Sequence, residues 1–488
     1  MTEENTVGKG RLLVFIVAYN AEQTIENVLK RIPRNLSDEY EVEILIIDDS
    51  SRDQTFAKSE MAKRSGTVPF KMTILFNPVN QGYGGNQKIG FHYAIENGFN
   101  WVALVHGDGQ YAPECLPELT AVLAREDADA VFGSRMMKGR SALKGGMPLY
   151  KFVGNKILTK FQNFLLGSNL SEFHSGYRLY AIEALKKIPF DLNSNDFHFD
   201  TEIIIQLFLA RQRINELPIP TFYGDEICHV NGLKYAWDVC ITTIQSKVQK
   251  FHICYDRKFD CIPEAKKEEQ KFDRFSVEMV FADSIEPSSS LLIMGKAERV
   301  LIAYLEGQGH RVTFHQQGLL ESVLGQCGPV DYIVVLDDTD LAQRPDLLVS
   351  RLRDFCRFHP DVTIVLALGN IGFILTRLLL LFGRFAYTKK GIISFASYRL
   401  FTLKSIKKLL SQNNFEFDMV KGIPIQYKKV FNSKMICALL SAVHMAFSRL
   451  WPSLFAYQFL VFAKAQPSLD YLLASAVEVS EQKQSKIL

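Results

Sequence analysis

The chain has 488 residues, more than one ordinary hydrophobic core accommodates, so two domains are expected. Its 47% hydrophobic and 22% charged residues describe a globular protein and exclude a disordered or fibrous one. The net charge of +3 argues against a nucleic-acid partner recruited by electrostatics.

The first residues are polar and acidic, and the eight cysteines include no Cys-x-x-Cys pair. We therefore expect a cytoplasmic protein with reduced thiols, no signal peptide and no zinc site. The apolar stretches 371–385 and 435–463 are interrupted by charged residues or proline, so neither is predicted to span a membrane. The run 378–382 is a candidate for peripheral contact with the inner face of the cytoplasmic membrane.

Strands and helices alternate through the first half of the chain. Apolar, β-branched runs predict strands at residues 12–18, 42–47, 72–76 and 101–105. Amphipathic stretches between them predict three helices, one at residues 22–32, one that follows the second strand and ends near residue 64, and one at 86–97. This alternation indicates a mostly parallel, doubly wound α/β sheet, in which ligands bind at the carboxyl ends of the strands.

A second α/β domain is predicted after a charged segment near Glu264. We place the first domain at residues 9–255, a linker at 256–284, the second domain at 285–475 and a disordered tail at 476–488. Within the second domain the pattern predicts strands at 290–294, 311–314, 331–336 and 363–368, with a helix from about residue 296.

Three polar side chains follow the fourth predicted strand, in the stretch His106-Gly-Asp108-Gly-Gln110. Asp108 and Gln110 offer oxygen ligands from one side of an extended segment, and the glycines let the backbone approach a diphosphate. A Mg²⁺ or Mn²⁺ ion held there would take up the charge of a departing diphosphate. His106 adds a nitrogen, which suits Mn²⁺ better than Mg²⁺. The alternative is a solvated turn after a strand.

Six motifs occur in order along the first half of the chain. They are VAYNAEQTIENVL, IIDDSSRDQT, NQGYGGNQKIGF, HGDGQYAPE, FGSRM and SGYRLY. Together they resemble family 2 glycosyltransferases with a GT-A fold, of the dolichyl- or polyprenyl-phosphate mannose synthase type. The resemblance covers roughly residues 9–240, and it implies a UDP- or GDP-sugar donor, a divalent metal and a polyprenyl phosphate acceptor.

The resemblance also implies a role for each residue at a matching position. Nucleotide contacts would come from Val17, Tyr19, Asp48, Asp49, Gly82, Gly84 and Lys234, the last closing over the donor diphosphate. The metal would be held by Asp108 and Gln110 with His106, phosphate groups would meet Arg135, and the acceptor phosphate would meet Lys151 and Asn155. Ala21 and His106 stand where the family usually has acidic residues, and the second departure leaves the identity of the metal open.

The mechanism depends on the acceptor. A polyprenyl phosphate oxygen is already anionic, so the protein needs no strong base and must instead hold two anions in line for one inverting displacement. If the acceptor is a sugar hydroxyl, a base is required, and Asp200 or Glu202 is the candidate.

Several of these residues also have a purely structural interpretation. Asp48 or Asp49 would then cap the following helix, and Asp200 with Glu202 would be an acidic pair at a helix N-terminus. The glycines around Tyr83 would form only a tight loop. Arg135 and Arg178 would form ion pairs in the core.

The second domain resembles class I methyltransferases, most clearly in its later segments. The segments that bind the cofactor in that family lack their usual residues here. The loop after its first strand has Gly295 alone, and its second strand ends in Phe-His-Gln-Gln without an acidic residue. Neither a close backbone approach nor a ribose-binding carboxylate is provided, so we expect no S-adenosylmethionine binding. Such a degenerate domain would serve as a docking surface or as the interface of a homo-oligomer.

Three other functions stay open from the sequence. The first is a glycosyltransferase whose acceptor is a growing glycan. The second is a bifunctional enzyme that both transfers and methylates sugars. In the third the chain is a catalytically silent scaffold, which His106 allows and Asp108 disfavours.

Overall fold

The computed structural model of the protein consists of two compact units. Unit 1 is formed by Met1–Lys247 with Asp256–Glu264, and unit 2 by Val248–Tyr255 with Ala265–Leu488. The structure describes residues 9–125, 128–139, 141–220, 222, 231–261, 273–295, 299–315, 329–336, 344–357, 359, 361–385, 387–389, 391–395, 399–431, 433–467 and 472. The predicted tail 476–488 and residues 262–272 of the predicted linker lie outside the described residues.

Unit 1 is built on a seven-stranded sheet. Its strands are β1 (Arg11–Ala18), β2 (Glu41–Asp48), β3 (Lys71–Phe76), β4 (Trp101–His106), β5 (Ala130–Ser134), β6 (Arg178–Ala181) and β7 (Ile214–Pro218). They are arranged in the order β3-β2-β1-β4-β6-β5-β7. Only β6 runs antiparallel to its neighbours, β4 and β5, so the sheet is mixed but mostly parallel as predicted.

Helices cover both faces of this sheet. They are α1 (Ile25–Lys30), α2 (Leu36–Glu39), α3 (Thr55–Arg64), α4 (Tyr83–Glu96), α5 (Leu116–Ala124), α6 (Ser141–Lys144), α7 (Leu149–Leu166), α8 (Ile182–Leu185), α9 (Phe199–Leu209) and α10 (Gly232–Val248). Short 3₁₀ helices lie at Pro113–Cys115, Phe190–Leu192 and Arg257–Phe259. One core lies between the sheet and α1, α2 and α5, and a second between the sheet and α4, α8 and α9.

Two predicted helices have different bounds in the structure. The predicted helix 22–32 is shorter, because residues before Ile25 form a turn that begins with the Ala21 N–H bonded to the Thr55 hydroxyl. The predicted helix 86–97 begins earlier, at Tyr83, directly after Gly82 with φ of 79°.

Unit 2 contains a six-stranded sheet in the order β12-β13-β11-β10-β8-β9. Its strands are β8 (Ser290–Gly295), β9 (Arg311–His315), β10 (Tyr332–Leu336), β11 (Thr363–Gly369), β12 (Phe415–Ile423) and β13 (Gln458–Ala465). Strands β8 to β11 pair in parallel, and β13 runs antiparallel to β11 and β12. The four predicted strands of this half are all present. The methyltransferase resemblance stays a prediction, and Gln316 and Gln317 lie outside the described residues.

The helices of unit 2 are α11 (Val277–Ala282), α12 (Arg299–Gly307), α13 (Pro345–Cys356), α14 (Ile374–Leu381), α15 (Leu403–Gln412), α16 (Lys434–Leu450) and α17 (Pro452–Phe455). Two 3₁₀ helices lie at Gln249–Phe251 and Tyr427–Lys429. Helix α11 falls within the predicted linker and buries Phe281 fully. Among the described residues, no helix has the length and apolar character needed to cross a bilayer.

Glycine at position 90 lets helix α4 pack directly on the sheet. A Cβ atom there would lie 2.1 Å from Cε1 of Phe15, whose ring is fully buried in β1. We expect Gly90→Ala to lower the free energy of unfolding by about 1–3 kcal/mol, because a rigid core leaves no room for the methyl group. Hydrogen exchange of the β1 and β4 amides in increasing urea measures the loss within unit 1.

The matched control is Gly154→Ala in helix α7. A Cβ atom at Gly154 meets nothing within 4 Å. This substitution should stabilise α7 by about 0.5–1 kcal/mol, since alanine has the higher helix propensity. Equal destabilisation by both changes would contradict the packing argument.

Candidate active site

The candidate site lies where the ends of β1, β2 and β4 meet. Parallel pairing places Ala18 beside Asp48 and Val17 beside His106. The sheet order reverses at this point, since β2 lies on one side of β1 and β4 on the other. Open α/β sheets bind their ligands in the crevice at such a reversal. The predicted residues after the second and fourth strands are therefore neighbours at one sheet edge.

Backbone conformations at this edge are unusual. Asn20 follows β1 with φ of 49°, and Ser50 follows β2 with φ of 63°. Non-glycine residues adopt this left-handed region at an energetic cost, and they concentrate at functional sites. Of the predicted nucleotide contacts beside them, Val17 is half-buried and Tyr19 is exposed.

The two adjacent carboxylates, Asp48 and Asp49, have different surroundings. Asp49 is used inside the protein, because its side chain accepts hydrogen bonds from the Asn77 amide at 2.7 Å and from the Gln81 and Gly82 N–H groups at 2.8 and 3.0 Å. Asp48 accepts the Ser51 N–H through Oδ1, while its buried Oδ2 accepts no hydrogen bond from the described residues. Burial raises the pKa of Asp48. Neither residue caps helix α3.

The glycines at the start of α4 permit close packing inside unit 1. A Cβ atom at Gly82 would lie 2.7 Å from the backbone oxygen of Asn195, and one at Gly84 would lie 2.5 Å from that of Ser194. The Gly84 N–H donates to Asn195 O at 2.9 Å. Both positions thus lie against the 194–195 segment, and packing there accounts for their lack of a side chain.

The loop after β4 holds Asp108 at the sheet edge. The Gly107 N–H donates to Val17 O at 2.9 Å, and its carbonyl accepts the Thr24 hydroxyl at 2.6 Å. Gly109 has φ of 79°, a conformation that favours glycine. Asp108 is half-buried, and its Oδ1 accepts the Gln110 N–H at 3.0 Å.

His106 is enclosed by aromatic rings and backbone. Its ring centroid lies 5.1 Å from that of Tyr111, and its Nε2 lies 3.5 Å from the Tyr83 hydroxyl. A Cβ atom at Gly176 would lie 2.6 Å from that Nε2 atom, so only glycine fits there. Burial lowers the pKa of His106, with Asp108 and Asp200 acting against it. The imidazole is therefore neutral near pH 7, and its Nε2 faces protein.

Asp200 and Glu202 sit in the first turn of α9 and have separate partners. Asp200 forms an ion pair with Arg178 at 3.0 Å and accepts the Tyr83 hydroxyl at 2.9 Å, which links it to the His106 side of the site. Glu202 is fully buried and accepts Lys258 Nζ at 2.8 Å and the Ser194 N–H at 2.6 Å. Asp200 therefore lies beside the candidate site, whereas these contacts favour the structural interpretation of Glu202.

Arg135 is held in place by a buried carboxylate that the motifs did not single out. The Arg135 Nε donates to Glu172 Oε1 at 3.0 Å, and the Arg135 backbone N–H donates to Glu172 Oε2 at 2.8 Å. The Asn155 amide donates to the same Oε1 at 2.8 Å. Burial would raise the pKa of Glu172, but the Arg135 charge and these hydrogen bonds outweigh it and hold the pKa below its usual range.

Helix α7 carries both predicted acceptor residues, one turn apart. Lys151 is half-buried and Asn155 is buried at the Glu172 carboxylate. Arg135 reaches the same carboxylate, so Arg135 and Asn155 converge on one anchor, Glu172. Their predicted phosphate-binding roles stay predictions.

The positive charge of Lys234, at the start of α10, is balanced by two carboxylates. Its Nζ lies 2.5 Å from Asp196 and 3.6 Å from Asp238, and the hydrogen bond to Asp196 raises the pKa of Lys234. A cavity of roughly 220 Å³ adjoins these residues, lined also by His198 and Tyr235. Asp196, His198 and Asp238 have ligand atoms within 4.8 Å of one another, but Lys234 already supplies the positive charge there.

The donor set at Asp108 fits a divalent cation. Among the described residues, Asp108 Oδ2 accepts no hydrogen bond, so one carboxylate oxygen is available to a metal. Mg²⁺ is commonly held by one or two protein oxygens with substrate phosphates and water completing its shell. Gln110 lies next along the same loop, whereas the enclosed Nε2 of His106 does not fit a ligand role.

Three site residues escaped the sequence analysis. Glu172 stands three positions before the SGYRLY motif, and an acidic residue so close to a predicted cation was the available signal. Tyr83 lies inside the NQGYGG motif, whose glycines are the stronger local signal. Tyr111, whose hydroxyl accepts the Gly176 N–H at 2.7 Å, gave no signal beyond its place next to Gln110.

The family model for glycosyl transferase family 2 matches residues 13–189. An uncharacterised protein of Methanocaldococcus jannaschii is 32% identical over 45% of this chain and 85% of its own length. A UDP-N-acetylglucosamine–dolichyl-phosphate N-acetylglucosaminyltransferase of Methanococcus voltae is 30% identical over 44% of this chain and 86% of its own. An undecaprenyl-phosphate mannosyltransferase of Micrococcus luteus is 27% identical over 44% of this chain and 85% of its own.

The chain belongs to glycosyl transferase family 2, and unit 1 has the mostly parallel α/β sheet that the sequence predicted. It is a glycosyltransferase that takes its sugar from a nucleotide-sugar donor. These parts of the prediction are confirmed.

Removing the Glu172 charge should destabilise unit 1 strongly. In Glu172→Gln the Arg135 guanidinium stays buried without a counter-charge, so we expect a loss of about 3–5 kcal/mol in unfolding free energy. Because the folded pKa of Glu172 is lowered from 4.5, its contribution is full above that pH and is lost as the pH falls through the lowered value.

Urea denaturation at neutral and acidic pH measures both effects. The control is Glu183→Gln, which removes an exposed i,i+3 pair with Lys186 and should change the stability by less than about 1 kcal/mol. If the two variants lose equal stability, or if the Glu172→Gln deficit grows in acid, the buried ion pair does not stabilise unit 1 in this way.

Proposed function

We propose that the protein is a metal-dependent, inverting glycosyltransferase that moves a sugar from a UDP- or GDP-sugar to a polyprenyl phosphate. Two relatives support the acceptor class, since one is named for a dolichyl phosphate acceptor and the other for an undecaprenyl phosphate. The named relatives also support a UDP-linked donor as one of the two alternatives.

The observation that carries the acceptor proposal is the exposed face of helix α7. This helix carries Lys151 and Asn155 in its first two turns and presents an apolar row to solvent. The row consists of Leu149, Tyr150, Val153, Ile157 and Phe164. Helix α10, which begins beside Lys234, presents a similar exposed row of Leu233, Trp237, Ile241 and Ile244. Exposed apolar rows of this length favour an apolar ligand, and a polyprenyl chain attached to a phosphate is such a ligand.

The donor's nucleotide is assigned to the ends of β1 and β2. The buried Oδ2 of Asp48, unpartnered among the described residues, can accept an N–H group, and a buried acceptor is costly to leave without a partner. Val17 and Tyr19 lie at the neighbouring strand end, where they would contact the nucleobase of the donor. Asp49 supports this site indirectly, because it orders the Asn77–Gly82 loop.

Charge neutralisation is the main task of the catalytic residues. Asp108 and Gln110 would hold Mg²⁺ or Mn²⁺, which when bound neutralises the charge of the leaving diphosphate. Arg135 is fixed by Glu172 close to Asn155, so its orientation is established before any ligand enters. Lys151 would bring the acceptor phosphate next to it. An anionic acceptor needs no deprotonation, so these residues bind and align two anions.

The competing acceptor is a sugar hydroxyl, with Asp200 as the base. Asp200 already accepts the Tyr83 hydroxyl and pairs with Arg178, so its carboxylate is engaged by protein groups and not by an acceptor hydroxyl. We retain the glycan acceptor as the second candidate. For unit 2 we infer no S-adenosylmethionine binding, since Gly295 stands alone at the end of β8; micromolar binding in calorimetry would overturn this and favour a bifunctional enzyme.

The first prediction of this function concerns Asp108. With a panel of nucleotide sugars and polyprenyl phosphate, transfer should require Mg²⁺ or Mn²⁺ and disappear with a chelator. Asp108→Asn should lower kcat/KM by at least about a hundredfold, because the metal loses an anionic ligand while the loop hydrogen bond survives. Glu118→Gln, an exposed change on α5, is the control. Equal activity of wild type and Asp108→Asn would remove the metal role.

The second prediction separates lipid from saccharide acceptors. Val153→Ser with Ile157→Ser should raise KM for a long-chain polyprenyl phosphate about tenfold, because two apolar contacts are lost. KM for a short, water-soluble isoprenyl phosphate should not change. Met61→Ser, at an exposed apolar residue of α3 outside both rows, is the matched control. Transfer to oligosaccharides but to neither phosphate would establish the second candidate instead.

A further inference from the structure

Helix α16 in unit 2 is amphipathic, but it turns its more apolar side to solvent. Apart from Lys434 and Arg449 near its ends, its solvent-facing positions are all apolar, namely Met435, Ala438, Leu439, Ala442, Val443, Ala446, Phe447 and Leu450. Its buried side is mixed, with Ser441, His444 and Ser448 beside Cys437 and Met445. A helix that served only the core of its own unit would point its apolar side inward. Leu439 is 64% exposed and Leu450 is 82% exposed, so this row is open to a partner.

Hydrogen bonds on the inward side fix this orientation. His444 Nε2 lies 2.7 Å from Phe455 O, and its Nδ1 lies 3.0 Å from the Tyr427 hydroxyl. Ser448 Oγ donates to Phe455 O at 3.1 Å. Rotating the helix to bury its leucines would carry His444 and Ser448 to solvent and leave the Phe455 carbonyl without both partners. The outward apolar row is therefore built into the unit.

Helix α14, which begins beside His444 of α16, carries a second exposed apolar row. Its buried residue is Thr376, while Leu375, Leu378, Leu380, Leu381 and Phe382 are exposed. Phe373, just before the helix, stacks on His444 of α16 with ring centroids 5.8 Å apart. Arg377 in the first turns also reaches Ser453 O of α17 at 3.5 Å. We call the exposed apolar residues of α14 and α16 the α14–α16 face.

The surrounding sequence is strongly basic. Between Asp361 and Asp470 there are fourteen Lys and Arg residues but only two acidic ones, Glu416 and Asp418, which leaves a net charge of +12. The whole chain carries +3, so the rest of it is net acidic. Charge is thus segregated onto the part of unit 2 that carries the apolar face. Lys434 and Arg449 stand at the two ends of α16, and Trp451 follows it; all three are exposed.

We propose that the α14–α16 face docks on an anionic lipid bilayer, with α16 lying in the headgroup region and its cations on lipid phosphates. Amphipathic helices that bind membrane surfaces combine an apolar row with Lys or Arg, and tryptophan anchors at the interface. A second copy of this chain fits less well, since two strongly basic surfaces repel. Nucleic acid accounts for the charge but not for the exposed leucines.

The test is flotation of the full chain with vesicles at low and high salt. Vesicles of phosphatidylglycerol and phosphatidylcholine in equal amounts should retain the protein, and pure phosphatidylcholine should retain much less. Leu439→Ser with Phe447→Ser should weaken binding at least about tenfold, since two exposed apolar side chains no longer enter the interface. Lys434→Gln with Arg449→Gln should weaken binding to anionic vesicles about fivefold for each charge lost.

Two matched controls keep the outcome specific to this face. Leu347→Ser, at an exposed leucine of α13, and Arg299→Gln, at an exposed position of α12, lie outside the basic segment and should leave binding unchanged. All variants change exposed residues, so circular dichroism should be that of the wild type.

Several outcomes would overturn the proposal. They are failure to float with either vesicle at low salt, equal binding of wild type and the Leu439/Phe447 variant, or a lipid-independent dimer that this variant abolishes. Retention by duplex DNA in competition with the vesicles would point to nucleic acid instead. None of these results depends on sugar transfer, so the docking proposal and the proposed function fail separately.

Discussion

The pairing of β1 with β2 on one side and β4 on the other is the constraint on which the site depends. Three parallel strands end at one edge, so residues far apart in sequence, such as Asp48 and Asp108, are brought to the same crevice. Backbone hydrogen bonds continue past the strand ends, from Asp49 N–H to Ala18 O and from Gly107 N–H to Val17 O. The loops that would contact a nucleotide sugar are therefore extensions of a rigid sheet.

Buried ion pairs then determine which way the cations point. Arg135 is bound by Glu172, and Arg178 by Asp200, all of them with little exposed side-chain surface. A buried ion pair stabilises a fold little more than an apolar pair of the same size would, although losing one partner is costly, so the main value of the pair lies in orientation. Glu172 also accepts Asn155, which fixes helix α7 relative to Arg135. Alignment of two anions needs such preorganised cations more than it needs a proton carrier.

Apolar surface is the second recurring theme, and it appears in both units. In unit 1 the exposed rows of α7 and α10 start beside the residues assigned to phosphate groups. In unit 2 the row on α16 is exposed because the opposite side is fixed by His444 and Ser448. Each unit thus presents apolar side chains next to cations, the combination that an amphiphilic phosphate or a lipid headgroup region matches.

The sequence alone determined the α/β class of both units, the first four strands of unit 1 and the family, because alternating apolar runs and ordered motifs are local signals. It also placed Asp108 at a strand end, which needs only the order of residues along the chain. Tertiary structure decided what each side chain does. Asp48 and Asp49 are adjacent in sequence, yet only the fold gives one of them three internal donors and leaves the other an oxygen without a partner among the described residues. Glu172, Tyr83 and the outward face of α16 were likewise settled by long-range contacts, since burial and hydrogen-bond partners come from residues distant in the chain.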